Sequence, residues 1–258
     1  LVGETGEQGI AGIDGTDGTD GATGVAGAAI VRNIPAGNVL TTLESTGNVG
    51  YETSITIGAD GLGLISYRDA TNEDLKVAHC SDKTCTTATI TALDETGIVG
   101  EHTSITIGAD GLGLISYYDD TNEDLKVAHC DNTNCTSATT ATLDSDGSVG
   151  EYTSITIGAD GLGLISYRDA TNEDLKVAHC SDKTCTTATI TALDETGIVG
   201  EHTSITIGAD GLGLISYYDA TNRYLKVAHC SNTNCTGSTN LQLDTNPNVG
   251  LYTSITIG

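Results

Sequence analysis

The sequence repeats itself with a period of 50 residues. The segment TSITIGADGLGLISY starts at Thr53, Thr103, Thr153 and Thr203, and TSITIG returns at Thr253. Residues 53–100 and 153–200 are identical, so pairs of units also repeat. Self-similarity of this length is typical of architectures in which each repeat is one supersecondary unit stacked on its neighbours. The fold of one unit therefore decides the fold of most of the chain.

Each unit is predicted to contain four short β-strands, which in the first unit are residues 53–57, 62–67, 75–80 and 86–93. Polar turns separate them, and the Asp60-Gly61 pair suits a tight hairpin. No segment has the 3.6-residue apolar spacing of a helix. Because the chain has no Phe, Trp or Met, its core must use Ile, Leu, Val, Ala and Tyr, which favour packed strands.

Four antiparallel strands in about 40–50 residues match one propeller blade. A β-solenoid is the rival, but its coils are usually shorter and need fewer hairpin turns. The predicted fold class is therefore all-β, a β-propeller-like array of four-stranded antiparallel blades, preceded by a collagen-like triple-helical segment.

The repeat also resembles a known type of blade. The segments DGLGLISYYDATN and LKVAH, with the closing turn LDETG at residues 93–97, resemble a blade common in large bacterial extracellular surface proteins. The resemblance covers the repeat region and implies the fold. It implies no particular activity, because propellers host many unrelated functions. The sialidase-type Asp box is missing, since the chain has no Trp.

The repeats divide the chain into a collagen-like stalk (1–29), a connector with a first outer strand (30–50), four blade repeats (51–250) and the first strand of an incomplete repeat (251–258). Residues 39–44 match a fourth strand, and residues 252–257 match a first strand. Open edge strands expose unpaired backbone groups. We therefore expect these two strands to pair with further repeats or with a neighbouring subunit, which would build a filament; the other option is that the four units close alone.

The stalk is predicted from glycine spacing. Glycine occupies every third position nine times without a break, and only glycine fits at the axis of a collagen triple helix. A flexible glycine-rich linker is the alternative, but it has no need of a strict period. The segment predicts a homotrimer, although it lacks proline and its acidic residues have no basic partner nearby. The glycines are Gly3, Gly6, Gly9, Gly12, Gly15, Gly18, Gly21, Gly24 and Gly27.

The cysteines occur as one pair in each repeat, bracketing four residues between the third and fourth strands. We predict four local disulfides and hence an extracellular or cell-surface location. Zinc is the alternative, because His79 precedes Cys80. Adjacent strand residues point to opposite faces, however, and zinc sites favour closer cysteine spacing. The predicted pairs are Cys80–Cys85, Cys130–Cys135, Cys180–Cys185 and Cys230–Cys235.

A polar turn in each repeat offers oxygen ligands at alternate positions, as a calcium loop does. In the fourth unit Arg223 and Tyr224 break this pattern. An Asx-type turn, in which Asp and Asn bond their own backbone, is the alternative and explains all four units. No cofactor is therefore required, and Ca²⁺ is the one candidate. Its ligands would be Asp69, Asn72, Asp74, Asp119, Asn122, Asp124, Asp169, Asn172 and Asp174.

The charge excludes some partners. With 35 acidic and 10 basic residues the formal net charge is −25, so the chain lacks the cations that nucleic acids and anionic membrane surfaces attract. No apolar run approaches the ~20 residues of a membrane-spanning helix. We expect neither nucleic-acid binding nor membrane insertion by this segment.

Catalysis has little support in the sequence. An active site needs one asymmetric cluster, whereas nearly every polar group here recurs in each repeat. His102 and His202 precede strands, but the equivalent residues are Glu52 and Tyr152. We therefore expect no catalytic residues and no enzyme.

Two functions remain. The first is a structural extracellular protein that forms a surface fibre, an appendage or a trimeric stalk-and-head assembly. The second is a multivalent, lectin-like propeller that binds cell-surface glycans. In that case Tyr118 and Tyr218 would be exposed and stack on sugar rings, while Tyr117 and Tyr217 belong to the core.

Overall fold

The computed structural model describes residues 40–246 and 248–258. These residues form sixteen β-strands in four sheets, each with four antiparallel strands in chain order. The described residues contain no helix, and so none that could cross a membrane. The all-β fold class is confirmed. The collagen-like prediction, with its glycines from Gly3 to Gly27, lies outside the described residues.

Each sheet is one 50-residue repeat, and we call the sheets blades 1 to 4. Blade 1 contains β1 (Val49–Ile57), β2 (Gly63–Asp69), β3 (Asp74–Cys80) and β4 (Ala88–Asp94). Blade 2 contains β5 (Val99–Ile107), β6 (Gly113–Asp119), β7 (Asp124–Cys130) and β8 (Ala138–Asp144). Blade 3 contains β9 (Val149–Ile157), β10 (Gly163–Asp169), β11 (Asp174–Cys180) and β12 (Ala188–Asp194). Blade 4 contains β13 (Glu201–Ile207), β14 (Gly213–Asp219), β15 (Tyr224–Cys230) and β16 (Ser238–Asp244).

An aspartate organises the first hairpin of every blade. In blade 1 the backbone N–H of Leu62 donates to Asp60 Oδ1 at 2.9 Å. The other oxygen, Oδ2, lies 2.8 Å from Nε2 of His79 on β3. The same His–Asp contact recurs in the other three blades at 2.7–2.9 Å. The histidines that precede the cysteines therefore stabilise the first hairpin turn of each blade.

The four predicted disulfides are confirmed: each repeat closes its own pair, with Cα atoms 4.8–4.9 Å apart. Cys80 lies in the core, whereas its neighbour His79 turns to Asp60. Among residues 40–246 and 248–258, no group of three or more His, Cys, Asp or Glu side chains is placed to hold a metal ion.

Replacing both Cys130 and Cys135 with alanine should lower the free energy of unfolding by about 2 kcal/mol, because the bridge restricts only a short loop in the unfolded chain. Urea denaturation of the variant and the wild type measures the loss. Equal stabilities would show that the bridge contributes nothing.

The hydrophobic core lies between the blades. Leu64, Leu75 and Val77 of blade 1 pack against Ile105 and Tyr117 of blade 2. Equivalent residues join blades 2 and 3, and blades 3 and 4. We call the side of a blade that faces its predecessor the leading face, and the side that faces its successor the trailing face. Because an inner blade is covered on both sides, its second strand is buried almost throughout.

A buried polar contact accompanies each apolar interface. Tyr117 Oη donates to Asp94 Oδ2 at 2.7 Å, and Lys126 Nζ lies 2.5 Å from the same oxygen. Burial acts to raise the pKa of Asp94, but hydrogen bonds from Lys126, Thr96 and Tyr117 outweigh it and hold this pKa below its usual value. We call this contact the Asp–Lys–Tyr latch. It recurs around Asp144 and Asp194.

The two ends of the array differ from the sequence expectation. Described residues 40–48 and 251–258 form no regular strand. Each lacks the hairpin neighbour that would give it a ladder of backbone hydrogen bonds. Both segments nevertheless make contacts that a complete blade would make. Glu44 accepts hydrogen bonds from Tyr67 Oη and Lys76 Nζ, as Asp94 does from its partners. At the other end, Thr253 Oγ1 lies 2.8 Å from Ser216 Oγ.

Candidate functional site

The first strands of the blades converge on one open cleft of about 390 Å³. We call it the first-strand cleft. Two residues from each of five consecutive repeats line it, the second of which is always threonine. The lining residues are Glu52, Thr53, His102, Thr103, Tyr152, Thr153, His202, Thr203, Tyr252 and Thr253.

The non-threonine residue of each pair has a strained backbone. Glu52, His102, Tyr152, His202 and Tyr252 have φ between 52° and 54°, the left-handed region that residues other than glycine seldom adopt. In the four blades the strand register shifts at this point, which marks a β-bulge. A bulge re-aims a side chain, and strain of about 1–3 kcal/mol per residue persists where the surroundings impose it, commonly at functional sites.

Four of these side chains form a continuous row of rings. The centroids of His102 and Tyr152 are 4.6 Å apart, those of Tyr152 and His202 are 4.5 Å apart, and those of His202 and Tyr252 are 4.2 Å apart. The ring planes are tilted by 39–59°. We call this the ring row. At its start, Glu52 accepts a hydrogen bond from the backbone N–H of His102.

Carboxylates stand next to the ring row. Glu101, Glu151 and Glu201 each precede a cleft residue in the sequence. Arg68 Nη1 lies 3.0 Å from Glu101, while Arg168 lies 2.8 Å from Glu151 and 3.7 Å from Glu201. Four glutamates including Glu52 thus accompany two arginines, and the surroundings of the cleft are net negative.

Burial shifts the proton affinity of several of these groups. It raises the pKa of Glu101, although the Arg68 charge opposes the shift. It lowers the pKa of His202, against the attraction of Glu201, and it raises the pKa of Tyr152. Burial therefore favours the uncharged form of the His202 ring.

The two tyrosines that were expected to be exposed and to stack on sugars are buried. Tyr118 is 5% exposed, because its inner blade is covered on both faces, and Tyr218 of blade 4 is also only 7% exposed. The Oη of Tyr118 contacts Ser148 Oγ at 3.2 Å. The expectation that Tyr117 and Tyr217 are core residues is met, since both are fully buried.

In each candidate calcium turn, the first aspartate already has hydrogen-bond partners within the turn. Asp69 Oδ1 accepts from the backbone N–H groups of Thr71 and Asn72, and its Oδ2 contacts the side chains of Asn72 and Lys76. Asp119, Asp169 and Asp219 hold the asparagine three residues later in the same way. This is the geometry of the Asx turn. Asp74, Asp124 and Asp174 instead begin the third strands.

The residues that form the cleft are not among the site residues predicted from the sequence. Glu52, His102, Tyr152 and His202 differ at one position of a nearly perfect repeat, and this variation counted against a shared role. Since the first strands converge, equivalent positions meet, and variation there produces one asymmetric site. The variable column in an otherwise constant repeat was the signal that could have located the cleft.

No protein-family profile matches the chain, and no curated protein sequence is significantly similar to it. Solved structures do share its fold. The α-L-arabinofuranosidase of Lactobacillus brevis is 11% identical with a TM-score of 0.51, over 76% of this chain and 73% of that one. A GH43 β-1,3-galactosidase bound to galactodeoxynojirimycin is 10% identical with a TM-score of 0.54, over 77% and 76%. The exo-β-1,3-galactanase of Clostridium thermocellum is 13% identical with a TM-score of 0.51, over 78% of this chain and half of that one.

These likenesses support the propeller-like fold and correct one expectation. The prediction that the chain is not an enzyme is contradicted, because the structural neighbours are named as carbohydrate-hydrolysing enzymes. Near-identical repeats do not exclude an asymmetric site, as the first-strand cleft shows. At 10–13% identity the likeness itself shows the fold alone.

Proposed function

We propose that the protein binds a neutral carbohydrate in the first-strand cleft. The observation that carries the proposal is the strained ring row, in which His102, Tyr152, His202 and Tyr252 adopt left-handed backbone angles and turn toward one cleft. If these bulges had only a structural role in the sheets, glycine would suit their positions better, because it adopts these angles without strain.

The chemistry of the row suits a sugar. The face of an aromatic ring is electrically negative and attracts the weakly positive C–H bonds on one face of a pyranose. Polar groups at the rim, among them the Glu52 carboxylate and the histidine nitrogens, can exchange hydrogen bonds with hydroxyl groups. Ligand sites commonly combine aromatic walls with a few such polar groups.

The negative charge around the cleft favours a neutral sugar over an acidic one. The four glutamates outnumber the two arginines near the cleft, and the chain as a whole carries a formal charge of −25. A uronic or sialic acid would meet repulsion there. A neutral hexose or pentose oligomer would not.

The test is a glycan array followed by calorimetry on the best neutral ligand. Replacing Tyr152 with alanine should weaken binding about tenfold or more, equivalent to ~1.4 kcal/mol, because the middle of the ring row is lost. The matched control is Tyr51→Ala, since Tyr51 is also partly exposed on β1 but does not line the cleft.

A Tyr152→Gly variant separates binding from folding. Glycine relieves the left-handed strain, so this variant should remain folded by circular dichroism and still lose the ligand. Equal affinities of wild type, Y152A and Y152G, or no neutral glycan bound at all, would contradict the proposal.

Hydrolysis of the bound sugar is a second candidate. The Glu52 carboxylate lines the cleft, and burial raises the pKa of the nearby Glu101, as suits an acid that donates a proton. Product analysis of the bound oligosaccharide should then show cleavage that is lost in Glu52→Gln while binding persists. Cleavage at the wild-type rate in Glu52→Gln would show that the Glu52 carboxylate takes no part in hydrolysis.

The four disulfides support an extracellular site for this activity, because such bridges persist in oxidising compartments. The homotrimer through residues 1–29 and the surface fibre remain predictions. The ring row is the observation that favours carbohydrate binding over a purely structural role.

A further inference from the structure

The end blades expose faces that the inner blades bury. On the leading face of blade 1, Ile55 is 64% exposed, whereas the equivalent Ile105 is 6% exposed. On the trailing face of blade 4, Leu243 is 61% exposed, whereas the equivalent Leu193 is 9% exposed. Within the described part of the chain, no other blade covers either face.

We propose that these two faces bind each other between copies of the chain, so that blade 4 of one copy packs head to tail on blade 1 of a second copy. The interface already exists three times within one chain, between blades 1 and 2, 2 and 3, and 3 and 4. In each case a leading face with Val, Ile, Tyr and Ala meets a trailing face with Leu and Val. The two exposed faces are the same pair of surfaces.

Each exposed face contains an apolar groove of the right composition. The groove on blade 1 has a volume of about 360 Å³ and lies between residues 41–44 and the apolar side chains of Val49, Ile65 and Ala78. The groove on blade 4 has a volume of about 340 Å³ and includes Leu225, Val227 and Leu243. Apolar surface of this kind gains free energy when another blade removes it from water.

The C-terminal segment occupies the position on the trailing face of blade 4 that strand β1 of a second copy would occupy. Residues 253–258 have the same sequence, TSITIG, as residues 53–58. The backbone N–H of Ile255 donates to Ser204 Oγ at 3.2 Å, as that of Ile105 donates to Ser54 Oγ at 3.2 Å. Strand β1 of a second copy carries the same donors and can replace residues 253–258 contact for contact.

The N-terminal segment occupies the corresponding position on the leading face of blade 1. Glu44 accepts Tyr67 Oη and Lys76 Nζ, which would be the partners of an Asp94-type residue in a preceding blade. In blade 4 that residue is Asp244, whose carboxylate contacts only the nearby Asn246 among the described residues. Asp244 of a second copy can therefore replace Glu44 in the latch.

An interface between two different faces is heterologous and propagates into rings or filaments. Sedimentation velocity of the full chain over a concentration series should therefore show growth beyond its smallest species. Ile55→Glu and Leu243→Glu should each reduce the association constant at least tenfold, because each buries an unpaired charge in the interface. Thr189→Glu is the matched control, since it adds the same charge at an exposed position of an inner blade.

Mixing the two variants provides the decisive measurement. Ile55→Glu keeps its trailing face and Leu243→Glu keeps its leading face, so a 1:1 mixture should form one defined heteromeric species that cannot grow further. Deleting residues 251–258 should strengthen association, because a competitor for the trailing face is removed. A wild type that never associates, variants that associate like the wild type, or a mixture that stays as separate species would each overturn the proposal.

Discussion

Replacing Asp94 with alanine should lower the free energy of unfolding by about 3 kcal/mol, because it leaves the ammonium group of Lys126 buried without its closest partner. The side chain of Lys126 is 11% exposed, and Tyr117 Oη loses its acceptor as well. Asp119 Oδ2, 3.5 Å from the same ammonium, keeps the loss at the lower end of the range for broken buried pairs.

Asp244→Ala is the matched control for this substitution. Asp244 occupies the same repeat position, but no blade packs on it among the described residues, so its loss should cost less than about 1 kcal/mol. Urea denaturation of both variants at a concentration where the chain does not associate gives the two values. Equal losses would show that the latch does not stabilise the blade interface.

The effect of the latch should depend on pH in a defined direction. The pKa of Asp94 is lowered in the folded protein, although burial opposes this. Its stabilisation is therefore complete above the unfolded carboxyl pKa of ~3.9 and is lost as the pH falls through the lower folded value. The stability difference between wild type and Asp94→Ala should shrink below about pH 4.

Replacing Ile105 with alanine should lower the free energy of unfolding by about 2–4 kcal/mol, because it leaves a cavity between blades 1 and 2. Ile55→Ala, at the equivalent position of β1, should change it by no more than about 0.5 kcal/mol. Chemical denaturation of dilute samples compares the two. Similar losses would mean that the leading face of blade 1 is covered within the chain.

The strands were largely predictable because they depend on short-range patterns. Polar turns and alternating β-branched residues located all four strands of each unit. The first strand begins four residues before the predicted Thr53, at Val49. Val49 pairs with Asp69 only beyond the bulge at Glu52, and this irregular pairing has no local sequence signal.

The error at Tyr118 has a different cause. The second strand was expected to be buried on both sides up to Tyr117, with the next residue exposed. Whether Tyr118 meets solvent depends on the neighbouring blades, which cover both sides of blade 2. Strand alternation alone does not contain that information.

The repeat unit, with its four strands, turns and disulfides, could be predicted from the sequence, because these features depend on residues close together in the chain. The packing of the blades brings five residues into one cleft, namely Glu52, His102, Tyr152, His202 and Tyr252. It also leaves Ile105 buried and the equivalent Ile55 exposed. Contacts between residues 23 to 50 positions apart depend on how whole blades are placed. Identical repeats therefore acquire different environments from their neighbours alone.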